Sequence, residues 1–271
     1  MFCERLPAIR FDEMLGEDES NLMFLPLAHV LARAVSLALV VGGATQNHWS
    51  DFSTLSVEFA RSRPNLILGV PRVFEKVYNS AEQKAEAGGK GKIFRAAADV
   101  AVAYSKALDT GSVPLGLKLR FALFDRLVFS KLKNAMGGRV QYAVSGSAPL
   151  GLRLAHFFRS LNIRILEGYG LTETTAPASV NLVDKFKIGT TGPALPGVGI
   201  KIANDGEILV KGINVFAGYW KKPEATAEVM DGEWFRTGDI GDLDDDGYLT
   251  ITGRKKEIIV TAGGKNVAPA G

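Results

Sequence analysis

The sequence predicts an α/β protein in which a layered α/β subdomain is followed by a smaller β-rich subdomain. Helical and short apolar strand patterns alternate as far as about residue 180, as they do where helices are layered on a sheet. Beyond Asp184 the character shifts to glycine, proline and period-2 alternation, which suits a small β subdomain. A length of 271 residues allows a large core in one domain or two. The expected division is residues 1–184 and 185–254, followed by a terminal stretch at 255–271.

Each element has its own warrant. Residues 30–44 are the most apolar stretch, but they carry Arg33 and are shorter than a bilayer span, so they predict a buried helix. Residues 66–70 are an apolar run of strand length. From Glu82 to Tyr104 a charged helical pattern is broken by Gly88-Gly89-Lys90-Gly91-Lys92, which predicts a solvated loop between two helices. Residues 117–136 repeat apolar side chains at helical spacing through Phe121, Phe124, Val128 and Leu132, and Gly137-Gly138 stops them. Residues 140–144 and 163–166 are two further strands, and 199–203 and 207–211 alternate with period two. Asp242, Asp244 and Asp246 before Gly247 copy the first half of a calcium loop. Gly253 stands where that loop needs a bidentate glutamate, so a hairpin turn is expected.

Bulk properties exclude several classes. Thirty-two basic and 29 acidic residues leave a formal charge of +3, so no global field points to nucleic acid or to a membrane surface. Peripheral membrane attachment and oligomeric state stay open. The single Cys3 has no partner for a disulfide and no ligand cluster for zinc, which suits a reducing compartment. No secretory signal and no Gly-x-Ser-x-Gly nucleophile elbow occur. Lys90 and Lys92 lack the Lys-Ser or Lys-Thr end of a P-loop, and His156 reads as structural.

The densest chemistry lies in Glu167-Gly168-Tyr169-Gly170-Leu171-Thr172-Glu173-Thr174. Glycines behind an apolar strand let the backbone approach a flat ligand. Tyr169 can face a base, Thr172 can donate to phosphate, and Glu173 can hold magnesium, which takes one or two protein carboxylates. A plain glycine-rich turn with an exposed acid is the competing reading.

This segment resembles the Tyr-Gly-x-Thr-Glu core of the adenylate-forming ligases, the superfamily of acyl-CoA synthetases, luciferases and peptide-synthetase adenylation domains. Trp234-Phe235-Arg236-Thr237-Gly238-Asp239 and Gly253-Arg254-Lys255-Lys256-Glu257 resemble its next two motifs, in order. Pro26-Leu27-Ala28-His29 and Gly69-Val70-Pro71-Arg72-Val73-Phe74-Glu75-Lys76-Val77 are similar to its long-chain fatty acyl-CoA synthetase branch. The resemblance implies part of a ligase N-terminal domain, with the β-rich part a distorted barrel and residues 255–271 a hinge and the stub of a C-terminal domain.

The resemblance also implies an activity. A long-chain fatty acid would be activated with ATP and Mg2+ to acyl-AMP and pyrophosphate, and the acyl group passed to coenzyme A. Glu173 would ligate magnesium, Thr172 would contact the α-phosphate, and Tyr169 would stack on adenine between Gly168 and Gly170. Gly146-Ser147 matches a loop bordering adenine. Asp239 would take both ribose hydroxyls, because each carboxylate oxygen can accept a hydrogen bond. Arg254 would add a fixed cation near ribose and phosphate. Lys256 falls at the hinge, Gly263 on the loop nearing the coenzyme A arm, and His29 on the wall of the acyl tunnel. The competing readings are a turn for Asp239, a basic surface run for Arg254 and a structural histidine for His29.

The family pattern also has parts without a counterpart here. Gly189-Thr190-Thr191-Gly192-Pro193 imitates its phosphate loop but lies after the tyrosine motif, so it reads as a turn. The family's Thr/Ser/Gly-rich phosphate loop with its lysine, expected upstream of Pro26, and its small C-terminal domain with the lysine that promotes adenylation find no counterpart, so the chain is expected to be an internal fragment with little activity of its own. The absence of targeting signals and the need for ATP and coenzyme A lead to the expectation of a cytoplasmic location, with peripheral attachment at the membrane left open. The alternatives are a ligase for an aryl or amino acid, or a non-catalytic nucleotide-binding fragment.

Overall fold

A computed structural model describes residues 12–255 together with the strand residues Ile259–Val260 and Asn266–Val267. The chain forms two compact units. One comprises Asp12–Pro26 and Val35–Leu166, the other takes in Leu27–Ala34 and the chain from Glu167 onward.

In the first unit the strands are β1 (Ser20–Met23), β2 (Thr45–His48), β3 (Leu66–Gly69) and β4 (Tyr142–Ser145), with β5 (Arg164–Leu171) beginning there. Their order is β2-β1-β3-β4-β5, and β1–β2, β1–β3 and β3–β4 run parallel. Parallel neighbours need crossover connections. A short helix α1 (Asp12–Leu15) precedes β1, and the connections between strands are supplied by α2 (Val30–Gly42), α3 (Leu55–Ser62), α4 (Pro71–Ala87), α5 (Gly91–Asp109), α6 (Leu115–Phe124), α7 (Ser130–Ala135) and α8 (Leu152–Ser160). All of β3 is buried, as its unbroken apolar run requires of a central strand. Phe74, Phe129, Phe157 and Phe158 are fully buried, with Phe74 edge-on to Phe158 at 5.8 Å and Phe158 edge-on to Phe157 at 5.4 Å.

Three expectations are refined. The helix over 30–44 exists, but it buries only a stripe through Ala32, Val35, Ala38 and Leu39, while Leu37, Val40 and Val41 are exposed. The break in the charged helix is only residues 88–90, because Gly91 and Lys92 already open α5. The helix over 117–136 is interrupted by a π turn at Asp125–Phe129, where the Ser130 hydroxyl donates to the Asp125 carbonyl at 2.7 Å. Gly137 and Gly138 end the run with φ of 93° and 76°. A Cβ on Gly137 would lie 2.5 Å from the Phe59 carbonyl oxygen, so no other residue fits there. His156 is structural as expected, buried with its Nδ1 3.0 Å from the Ser105 hydroxyl.

In the second unit β6 (Ala176–Val180) pairs antiparallel with the end of β5. An antiparallel sheet follows, built from β7 (Val198–Ile202), β8 (Glu207–Gly212), β9 (Met230–Asp231), β10 (Trp234–Leu243) and β11 (Leu249–Arg254) in the order β11-β10-β8-β7, with β9 on β10. One short helix, α9 (Pro223–Val229), precedes β9. Ala178, Ile208, Val210 and Leu249 form its dry core. The aspartate run is the β10–β11 hairpin turn, with the Asp244 carboxylate accepting the Tyr248 amide at 2.9 Å. The fold class read from the sequence therefore holds, a parallel α/β layer joined to a curled antiparallel sheet.

Candidate functional site

The glycine-rich motif is strand, not the loop after one. β5 continues through Gly168, Tyr169 and Gly170 to Leu171, with Gly168 opposite Val180 and Leu171 opposite Ala176. A Cβ on Gly170 would stand 2.0 Å from the Ala176 carbonyl oxygen, so glycine here permits the close approach of β6. A 3-10 turn at Thr172–Thr174 follows. Its anchor is buried Thr174, whose hydroxyl accepts the Leu171 amide at 2.8 Å and lies 3.0 Å from the Ala176 carbonyl. Thr172 is left exposed and Glu173 half-buried.

Tyr169 turns toward the antiparallel sheet. Its ring packs on the Ala178, Ile208, Val210 and Leu249 core, and its hydroxyl donates to Asp239 Oδ2 at 2.7 Å. Arg254 Nε lies 3.3 Å from Asp239 Oδ1, because β10 and β11 set the two residues directly opposite each other. One buried carboxylate is thus held by a phenol on one oxygen and by an exposed guanidinium on the other. Burial, and then the neighbouring Asp239 charge, pushes the Tyr169 phenol far above its usual range. The phenol stays a neutral donor at any working pH.

Asp239 reaches this position through a break in strand pairing. Phe235 and Arg236 pair with Val210 and Leu209, and the next pair is Ile240 with Glu207, so Thr237, Gly238 and Asp239 face only Ile208. The Glu207 side chain replaces the missing backbone partner. Its Oε1 accepts the Gly238 amide at 3.0 Å, and its Oε2 lies 3.2 Å from Arg236 Nη2 and 3.0 Å from Lys255 Nζ. Thr237 donates to the Ile208 carbonyl at 2.8 Å and accepts the Asp239 amide at 3.1 Å. Burial works to raise the Glu207 pKa, but Lys255, the Gly238 amide and Arg236 outweigh it and hold the carboxyl below its usual value.

Glu173 has its own support. Tyr219 donates to Glu173 Oε1 at 2.9 Å, and the Phe216 amide donates to the Glu173 carbonyl at 2.7 Å. Phe216 is edge-on to Tyr219 at 4.8 Å and to Phe235 at 5.6 Å, which pins this loop to β10. Burial, then the Glu173 contact, raises the Tyr219 phenol. Among the described residues no group of three or more His, Cys, Asp or Glu could hold a metal. A single carboxylate with one oxygen tied to a phenol still fits magnesium, which fills its shell with water and phosphate.

The remaining sequence candidates take no part in these contacts or lie outside the described residues. Exposed His29 precedes α2, its carbonyl accepting the Arg33 amide at 3.1 Å. Gly146 is buried and Ser147 exposed, with φ of 72°, in the turn after β4. That turn belongs to the other unit. Lys256 and Gly263 lie outside the described residues. Sequence reasoning missed Glu207, Tyr219 and Thr174 as supports. Two signals were available, an acid opening an otherwise apolar strand at 207–210 and a second Gly-Tyr pair at Gly218-Tyr219.

The family described as AMP-binding enzyme matches residues 4–220. The chain belongs to this family. A relative named long-chain-fatty-acid–CoA ligase FadD15 from Mycobacterium tuberculosis is 53% identical over 257 residues, which is 95% of this chain and 43% of the relative. Long chain acyl-CoA synthetase 4 from Arabidopsis thaliana is 34% identical across 95% of this chain and 40% of its own length. This AMP-binding chain therefore spans less than half the length of those relatives. Among solved structures, the ATP-bound RpMatB-BxBclM chimera B3 matches 98% of the chain and 45% of its own with a TM-score of 0.68 and 26% identity.

Proposed function

We propose that the protein is a long-chain fatty acid–CoA ligase that forms acyl-AMP from a fatty acid and ATP, then transfers the acyl group to coenzyme A. The observation that carries this reading is the Tyr169–Asp239–Arg254 cluster, a buried and already oriented carboxylate of the kind that ribose hydroxyls need. The 53% identity to a relative named long-chain-fatty-acid–CoA ligase supports the acyl substrate, and the ATP-bound chimera supports the nucleotide.

In the first step a carboxylate oxygen bonds to the α-phosphorus while the bond to pyrophosphate breaks. In the second, the coenzyme A thiolate attacks the acyl carbonyl and AMP leaves. The protein's task is to position anions and offset developing charge. Asp239 retains one lone pair on each oxygen for a ribose hydroxyl, beyond those engaged by Tyr169 and Arg254. Exposed Thr172 offers its hydroxyl to the α-phosphate, and Glu173 would hold Mg2+, which when bound neutralises phosphate charge. Gly168 and Gly170 would border adenine, His29 the acyl chain, Lys256 the hinge and Gly263 the coenzyme A arm.

The test is fatty-acid-dependent exchange of pyrophosphate into ATP by the whole protein, over acids of graded chain length together with aryl and amino acids. Exchange that rises with long-chain acids is expected. Its absence, or preference for an aryl or amino acid, overturns the reading.

A further inference from the structure

The helical run of α6, the π turn and α7 packs inward through few side chains. Phe121 stacks on Tyr104 of α5 at 4.1 Å, and fully buried Phe129 meets Phe157 at 6.2 Å. No residue of α6 itself is buried. The outward face carries Leu115, Leu119, Leu123 and Leu127, with 72, 65, 56 and 49% of their surface exposed. Every fourth residue of an α-helix drifts by about 40° around the axis. The π turn at Asp125–Phe129 closes wider rings and advances less per residue, which counteracts that drift and brings Leu127 back under Leu123. Four leucines thus form one continuous stripe.

The border of the stripe is cationic. Residues 115–133 hold five basic side chains and one acid, Asp125, which is paired with Lys133 at 2.9 Å. Lys118, Arg120, Arg126 and Lys131 are exposed, and among the described residues the structure gives them no ion pair. An exposed apolar stripe of this kind marks an interaction surface. Leucines alone would suit many partners, but a leucine stripe edged by lysine and arginine has the in-plane pattern of an interfacial helix. No described helix is long and apolar enough to cross a membrane.

We propose that this face lies on an anionic phospholipid bilayer, with the leucines at the acyl boundary and Lys118, Arg120, Arg126 and Lys131 against headgroup phosphates. This placement stands apart from the ligase reading, although a bilayer is also where long-chain fatty acids dissolve.

The test is co-sedimentation of the whole protein with phosphatidylglycerol-containing vesicles and with pure phosphatidylcholine vesicles. Binding to the anionic vesicles that weakens with salt is expected. Leu119→Glu/Leu123→Glu should partition at least about tenfold more weakly, and Lys118→Glu/Arg126→Glu should lose the anionic preference. Both variants should keep the wild-type Tm, oligomeric state and pyrophosphate exchange with a water-soluble acid. Sedimentation and exchange are read separately, so failure of one proposal leaves the other standing. The proposal is overturned if the wild type shows no anionic preference or the leucine variant binds like it. A fall in Tm or a change of oligomeric state in that variant also overturns it, since the stripe then belongs to an internal or copy-to-copy contact.

Discussion

Glu207→Ala removes the acceptor that holds the bulge at residues 237–239, and its cost can be built from the contacts. The Gly238 amide loses the Oε1 partner at 3.0 Å, and an unsatisfied backbone donor costs about 1–3 kcal/mol. Arg236 and Lys255 are 39% and 43% exposed, so water recovers most of their loss and each is worth at most about 1 kcal/mol. A destabilisation of about 3 kcal/mol follows. Glu207→Gln keeps a neutral acceptor for Gly238 and should cost about 1 kcal/mol. Urea unfolding measures both, and calorimetry with AMP reads the site, where the alanine variant should bind more than about tenfold more weakly because Asp239 is no longer aimed. The pH dependence has a definite sign. The folded pKa of Glu207 is depressed, so its stabilisation is present above the unfolded carboxylate pKa and disappears as pH falls through the folded value. Wild type and Glu207→Gln should therefore converge in stability in acid and separate toward neutrality. An alanine variant with the wild-type urea midpoint and AMP affinity would refute the reasoning.

Three other substitutions probe the neighbouring contacts. Gly170→Ala forces a Cβ to within 2.0 Å of the Ala176 carbonyl oxygen, and prying β5 from β6 should cost about 3 kcal/mol; a melting temperature equal to wild type contradicts this. Tyr169→Phe deletes the donor to Asp239 Oδ2. A hydrogen bond to a charged group is worth about 1.5–3 kcal/mol, so AMP affinity measured by calorimetry should fall by at least about tenfold, and unchanged affinity means the phenol does not orient the carboxylate. Tyr219→Phe frees Glu173 Oε1 and should leave the Tm near wild type while lowering exchange activity by about fivefold, as loss of one hydrogen bond would. An unchanged magnesium dependence of that exchange would show that Tyr219 does not position Glu173.

Much of the architecture was legible because it rests on local pattern. The buried run of β3, the hairpin at Asp244 and the stop at Gly137-Gly138 each follow from hydrophobicity or turn chemistry within a few residues. The motif at 167–174 was visible for the same reason. Its strand conformation was not, since glycines ordinarily weaken strands and only the pairing with β6 shows why they are needed. The π turn escaped because the apolar period continues through it with a shift too small to read.

By itself the sequence determined which chemistry the chain carries. Tyr169, Glu173, Asp239 and Arg254 are types suited to a nucleotide, set in short motifs with local glycines, and their order along the chain supplied the family. Only the tertiary structure decided how they are held. Asp239 meets Tyr169 from 70 residues away and Arg254 across a strand pair, while Glu207 and Tyr219 act through contacts that depend on bulge and loop geometry. A residue's chemistry is written in its side chain, but its aim depends on long-range packing that no local spacing encodes.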